Sequence, residues 1–154
     1  MLREVAEGIA KFIREDSILA EDGHISVVVE DKSNFAFEIQ RAIGEIGVCV
    51  TIAVTDFRKR DNTGPFVAGT LTFQISCYEH PSLNRDDESA KTAQWTAEYL
   101  ARLLNWRQFP FLAAKMLFKN FSRDDVDEAN IVRGTYEVEH ILGVEDEYFH
   151  PKEQ

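Results

Sequence analysis

The chain has 154 residues, of which 44% are hydrophobic and 11 are phenylalanine, so it can form one domain with an ordinary core. No apolar run approaches the roughly 18 residues that cross a membrane, and the N-terminus lacks the continuous apolar stretch of a signal peptide. The formal net charge of −10 argues against sequence-specific DNA binding, because an acidic surface repels phosphate. We therefore expect a cytoplasmic protein, and its acidity also favours solubility.

The acidic residues are concentrated near the C-terminus. From Ser122 onward, ten acidic residues stand against three basic residues. The two cysteines, Cys49 and Cys77, form neither a CxxC pair nor a zinc-type spacing. We therefore predict two small thiols, buried or half-buried in separate strands, in a reducing compartment.

The N-terminal third alternates between helical and strand patterns. Residues 2–15 place apolar side chains on one side of a helix, and residues 24–30 form a short β-branched strand. Apolar spacing predicts a second helix over residues 35–46. Gly47 follows that helix at a position where a positive φ is favoured. This part of the chain therefore predicts the order helix, strand, helix.

Two alternating strands follow and predict a long β-hairpin. Residues 48–57 alternate between two faces, and residues 67–79 do the same around one buried face. The connection over residues 58–65 is polar, contains glycine and proline, and is longer than a tight hairpin needs. The second strand is predicted to turn five side chains toward the core: Val67, Leu71, Phe73, Ile75 and Cys77.

A long amphipathic helix is predicted over residues 86–106. Asn84 is the predicted N-cap, and the acidic residues after it lie in the first turn, near the positive end of the helix dipole. Three- and four-residue spacings place the small and apolar side chains on one stripe. That stripe consists of Ala90, Ala93, Ala97, Leu100 and Leu104.

The C-terminal third is predicted to form two further strands and a tail. The strands cover residues 111–121 and 132–142, with Tyr136 and Val138 facing inward, and an acidic turn over residues 122–130 joins them. Residues 143–154 are predicted to form an acidic, mobile tail. The element order α-β-α-β-β-α-β-β predicts a single α+β domain over residues 1–142, with a mainly antiparallel sheet and helices packed on one face.

No pattern of catalytic or metal-binding residues stands out. His24, His80, His140 and His150 lack partners at catalytic or metal spacing, and the acidic run 124–128 lacks the glycine of a calcium loop. There is no glycine-rich phosphate loop and no nucleophile elbow. The aromatic residues fall at core spacings rather than among basic residues, which argues against a surface that stacks nucleic-acid bases. We therefore expect no catalysis, no cofactor and no metal ion.

The candidate contact residues lie in the loop between the two middle strands. Arg58, Lys59, Arg60 and Asp61 form a charged cluster there. Such a cluster is either a solvated turn or a contact with another subunit or partner, because arginine forms bidentate pairs with carboxylates. Both interpretations are open from these residues alone.

A short motif after the second middle strand resembles bacteriophage tail terminator proteins, also called tail completion proteins. It consists of Glu79, Pro81, Asn84 and Arg85, between a strand that ends in Cys-Tyr-Glu and a long helix rich in alanine and threonine. The element order, the length and the long loop also agree, so the resemblance covers residues 25–142. It implies that Glu79, Asn84 and Arg85 join the charged loop as contacts with neighbouring subunits or partners.

The resemblance implies a structural role without catalysis. Such a subunit closes into a ring, expected to be a hexamer, on the tail tube of a phage, a prophage or a tail-like particle. Its partners are then copies of itself, the tail tube protein and the head-neck connector protein, with no membrane and no sequence-specific nucleic acid. It acts in the host bacterial cytoplasm during assembly and afterwards in the virion tail. The alternative is another adaptor of the neck or tail that binds proteins, and an enzyme is the least favoured class.

Overall fold

The computed structural model describes residues 2–20, 25–29, 47–61, 64–79, 92–126 and 129–151. Within these residues the chain forms one five-stranded sheet and four helices. In chain order the elements are α1 (Leu2–Arg14), α2 (Ser17–Ala20), β1 (Ile25–Val29), β2 (Val48–Lys59), β3 (Ala68–Glu79), α3 (Ala93–Leu104), β4 (Leu117–Val126), β5 (Ala129–Ile141) and α4 (Val144–Phe149).

The strands lie in the order β1-β2-β3-β5-β4. β1 runs parallel to β2, with Val27 opposite Val50, and every other neighbouring pair is antiparallel. β3 is the central strand and pairs along almost its whole length with β2 on one side and β5 on the other. This mixed and mainly antiparallel sheet confirms the predicted α+β class, which rested on the order of helices and strands along the chain.

The core lies between one face of the sheet and the helices α1 and α3. Phe73 of β3 and Tyr136 of β5 lie opposite each other on that face and are both fully buried. Val138 is buried beside them, as its place in the alternation predicted. The helical side chains buried against this face are Val5, Ala6, Ile9, Ala10 and Ile13 from α1 and Ala93, Ala97, Leu100 and Leu104 from α3.

The strand predicted over residues 111–121 is wrong in its position. β4 begins only at Leu117, and the residues before it form a loop. Three side chains of that loop, Phe109, Phe111 and Leu112, are buried in the core although they belong to no strand. A short apolar run has the same pattern whether it is a buried loop or a strand, so the sequence did not distinguish the two.

The acidic turn predicted over residues 122–130 is also wrong. Asp124 lies opposite Ile131 and Asp125 lies opposite Asn130 in the ladder between β4 and β5. β4 therefore continues to Val126, and β5 already begins at Ala129, so only two residues separate the strands in sequence. Charged residues fit here because β4 is an edge strand, where exposed charges are common.

The helix α3 begins later and ends earlier than predicted. Thr92 is its N-cap with φ −90° and ψ 167°, so no continuous helix runs through it from residue 86. The Thr92 hydroxyl accepts a hydrogen bond from the N–H of Trp95 at 3.0 Å. At the other end, Trp106 has φ +65°, which no α-helix accommodates. The predicted cap Asn84 lies outside the described residues.

The C-terminal tail is wrongly predicted for residues 144–149, which form α4 and pack against α1. A buried pair fixes this helix: Nε2 of His140 lies 2.6 Å from Oε2 of Glu145, and the two side chains are 0% and 3% exposed. Nδ1 of His140 accepts a hydrogen bond from the N–H of Ala113 at 3.3 Å. Nε2 therefore carries the proton that is donated to Glu145.

One predicted helix, over residues 35–46, lies outside the described part of the chain. Gly47, which was predicted to follow it with a positive φ, has φ +109°. Among the described residues, no helix is long and apolar enough to cross a membrane.

A hydrogen bond joins α3 to the turn after α1. The hydroxyl of Tyr99 donates to the carboxylate of Asp16 at 2.9 Å. The same carboxylate accepts from the N–H groups of Ile18 and Leu19 and so caps α2. Burial, together with the bond to Asp16, raises the pKa of Tyr99 to about 12.

Tyr99 is expected to ionise well above the ordinary tyrosine pKa of about 10. Because its pKa is raised in the folded state, its neutral form stabilises the fold fully below the unfolded-state pKa, and this contribution is lost as the pH rises toward about 12. An absorbance titration of phenolate formation, combined with urea unfolding at each pH, measures both effects. Tyr99→Phe should remove this late titration step, and an unchanged titration curve in that variant would contradict the prediction.

Candidate functional site

The predicted cluster of charged residues lies at the free end of the β2–β3 hairpin. Arg58 and Lys59 are the last described residues of β2, and Arg60 and Asp61 follow in the loop. All four residues are exposed. The N–H of Arg60 donates to the carbonyl of Ala68 at 2.8 Å, which closes the hairpin just beyond the strands. The structure thus presents this part of the predicted site on the surface.

The neighbouring strand β5 contacts this end of the hairpin. The Arg60 guanidinium lies 3.6 Å from the Glu139 carboxylate, and their side chains are 62% and 53% exposed. The same carboxylate accepts a hydrogen bond from the Thr70 hydroxyl at 2.8 Å. Such an exposed ion pair contributes at most about 1 kcal/mol to stability. Within the described residues Arg58 and Lys59 form no ion pair, so their charges can meet an outside carboxylate.

Exposed apolar side chains lie beside these basic residues. Phe66 is 62% exposed and Val67 is 42% exposed. The prediction that Val67 faces the core is therefore wrong, because β3 begins at the next residue. Leu142 lies close by, since its N–H donates to the carbonyl of Val67 at 2.9 Å. The surface formed by Arg58, Lys59, Arg60, Phe66 and Val67 is called the hairpin patch below.

The other predicted contact residues are not part of this surface. Glu79 is only 5% exposed, and its carboxylate accepts a hydrogen bond from the N–H of Ala93 at 3.2 Å. It therefore caps the first turn of α3 together with Thr92, and this position is inside the fold rather than on a contact surface. Asn84 and Arg85 lie outside the described residues.

The hairpin patch has the composition of a protein contact surface. Arginine and aromatic side chains are enriched in the cores of such interfaces, where they combine apolar area with directed hydrogen bonds. In the described part of the chain, no group of three or more His, Cys, Asp or Glu side chains is placed to hold a metal ion. The chemistry that this patch offers is binding to carboxylates and to apolar side chains.

Comparisons with known proteins add little to this picture. No protein-family model and no curated protein matches the sequence. Among solved structures, 14 chains match. One of them is 14% identical, with a TM-score of 0.47, and the alignment covers 89% of this chain and 92% of the other. At this score the similarity carries no argument about function.

Proposed function

We propose that this protein is a structural subunit of a phage or prophage tail. In this role it forms a ring on the end of the tail tube, ends polymerisation of the tube and joins the tail to the head-neck connector. The resemblance at Glu79, Pro81, Asn84 and Arg85 supports the proposal, and the α+β architecture is compatible with it. The alternative role is an adaptor of the neck or tail that binds one partner without forming a ring.

The hairpin patch is the observation that carries the proposal. A ring needs two different surfaces on each subunit that complement each other around a rotation axis. The hairpin patch is basic and apolar, and it lies on a chain whose net charge is −10. Exposed carboxylates elsewhere, such as Asp125 at the end of β4 and Glu147 on α4, can face it from a neighbouring subunit. Opposite charges on two separate surfaces suit head-to-tail contacts between copies.

Neutralising the hairpin patch is expected to weaken ring formation. In Arg58→Gln/Lys59→Gln/Arg60→Gln, the intersubunit association constant should fall by about tenfold or more, because the variant loses its charge complementarity. Native mass spectrometry and electron microscopy of the concentrated protein measure the assembled fraction. The matched control is Lys11→Gln/Lys119→Gln/Arg123→Gln, which removes the same charge from exposed residues on other elements.

Three outcomes distinguish the possibilities. Rings in the wild type and the control, but not in the hairpin variant, support the proposal. Rings in all three proteins, or rings lost only in the control, remove the hairpin patch from the interface. A wild-type chain that stays monomeric at every concentration contradicts the ring and favours the adaptor.

A further inference from the structure

One segment of this acidic chain contains no acidic residue at all. Residues 99–123 include five of the 17 basic residues and none of the 27 acidic residues. The segment covers the second half of α3, the loop after it and most of β4. Its charge is therefore opposite to that of the rest of the chain, and it does not overlap the hairpin patch.

Trp106 lies in this segment, just after α3, and is 65% exposed, although the aromatic residues of the sequence fall at core spacings. Its φ of +65° is rare for a bulky residue. The backbone is held in this conformation because the N–H of Trp106 donates to the carbonyl of Met116 at 2.7 Å. The ammonium of Lys115 lies 5.1 Å from the centre of the indole ring. The indole is thus presented to solvent from an ordered backbone, next to a positive charge.

A polar groove adjoins the indole. It has a volume of about 370 Å³, and its lining includes Arg102, Asn105, Trp106 and Arg107. Arg107 is fixed in place, since its Nε donates to the carbonyl of Leu103 at 3.0 Å. Within the described residues, neither guanidinium forms an ion pair, and neither does the ammonium of Lys115. The groove therefore offers positive charge that no carboxylate of the described chain neutralises.

We propose that this surface, formed by Arg102, Trp106, Arg107 and Lys115, binds a carboxylate-rich segment of another protein. The guanidiniums of Arg102 and Arg107 and the ammonium of Lys115 would bind its carboxylates, and the indole would cover one of its apolar side chains. Leu117, which is 40% exposed, follows directly after Met116, whose carbonyl accepts the hydrogen bond from Trp106. This inference does not depend on the ring, because it rests on different residues.

The observations favour an acidic protein segment over a nucleic acid. Long nucleic acids are polyanions, and they would be repelled by the acidic remainder of a chain with net charge −10. A short acidic segment contacts only the local surface, where the charge is complementary. Tryptophan, arginine and exposed leucine together are also a composition typical of protein interfaces.

The binding test uses two labelled probes of equal charge, an oligoglutamate peptide and an oligothymidylate, at low ionic strength. Fluorescence anisotropy of the probes gives the affinity. The chain has two tryptophans, so Trp95→Phe leaves Trp106 as a local reporter of where the probe binds. We expect the peptide to bind saturably and to change the emission of Trp106.

Two variants and one control test the residues. Arg102→Gln/Lys115→Gln should weaken peptide binding by about tenfold, and Trp106→Asn should weaken binding of a glutamate peptide that carries one phenylalanine. Asparagine is chosen because it tolerates a positive φ better than most residues. The control, Arg3→Gln/Lys11→Gln, removes two charges from exposed residues of α1, outside both proposed surfaces, and should bind as the wild type does.

The possible results separate clearly. Peptide binding that is lost in Arg102→Gln/Lys115→Gln and kept in the control supports the proposal. No saturable peptide binding, equal loss in the control, or tighter binding of oligothymidylate than of the peptide each overturns it. Ring formation in Arg102→Gln/Lys115→Gln is measured separately. Failure of this proposal and failure of the ring proposal are therefore distinguishable.

Discussion

Replacing Gly69 with alanine is expected to disrupt the base of the β2–β3 hairpin and to lower the free energy of unfolding by about 3 kcal/mol. A Cβ atom at this position would lie 2.0 Å from the carbonyl oxygen of Arg58, across the ladder between the strands. No side-chain rotation relieves this clash, because the obstructing atoms belong to the backbone. The two strands would have to separate at the point where the hairpin patch begins.

The matched control for this substitution is Gly64→Ala in the same hairpin. Gly64 has φ +66°, but a Cβ atom there would meet no heavy atom within 4 Å. Its cost is therefore limited to the conformational strain of about 1–2 kcal/mol. Urea unfolding followed by tryptophan fluorescence measures both variants. Equal destabilisation by the two substitutions would show that the close approach at Gly69 does not constrain the fold.

Removing the Glu145 carboxylate should release α4 from the domain. Glu145→Ala leaves the protonated Nε2 of His140 without its acceptor in a buried site, and it also removes the acceptor for the N–H of Gly143 at 3.2 Å. Loss of one partner from such a buried pair is expected to cost about 3 kcal/mol. The unfolding midpoint in urea should fall, and limited proteolysis should cleave the chain after β5.

Two variants test whether this effect comes from the buried contact. Glu147→Ala removes the same charge from an exposed position on the same helix and should change stability by only about 0.5 kcal/mol. Glu145→Gln keeps an oxygen that can accept from His140 and should be milder than Glu145→Ala. If Glu147→Ala were as destabilising as Glu145→Ala, the loss would reflect helix charge rather than the pair with His140.

The strands of the sheet were predictable from the sequence because the alternation of apolar and polar residues is a local pattern. In β3, Leu71, Phe73 and Ile75 alternate with polar residues, and a strand with one buried face requires this pattern. The same alternation identified Tyr136 and Val138 as inward-facing. The errors in this part concern where the strands begin and end, which depends on neighbouring strands.

The remaining errors arise from contacts between distant parts of the chain. The start of α3 is fixed by Thr92 and by Glu79, which reaches the helix from the end of β3. The packing of α4 on the domain depends on the contact between Glu145 and His140, and His140 lies in a strand without an unusual sequence context. Neither contact produces a residue spacing that could be recognised in the sequence.

The candidate site was predictable only in part. Arg58, Lys59 and Arg60 stand out in an acidic chain and are exposed, although the first two end β2 instead of lying in the predicted loop. The exposure of Phe66 and Trp106 was not predictable, since an apolar residue near the end of a strand or helix is as compatible with burial as with exposure. The buried position of Glu79 likewise depends on its contact with α3.

The position of β3 between β2 and β5 has a consequence for synthesis on the ribosome. Ala68 must pair with Ile141, and Glu79 with Asn130, so half of the central strand's hydrogen bonds wait for residues that are translated much later. Until then the nascent chain carries β3 with one open edge, which other chains can join. Stalled or truncated translation products that end before β5 should consequently aggregate, and a chaperone bound to that edge would protect them.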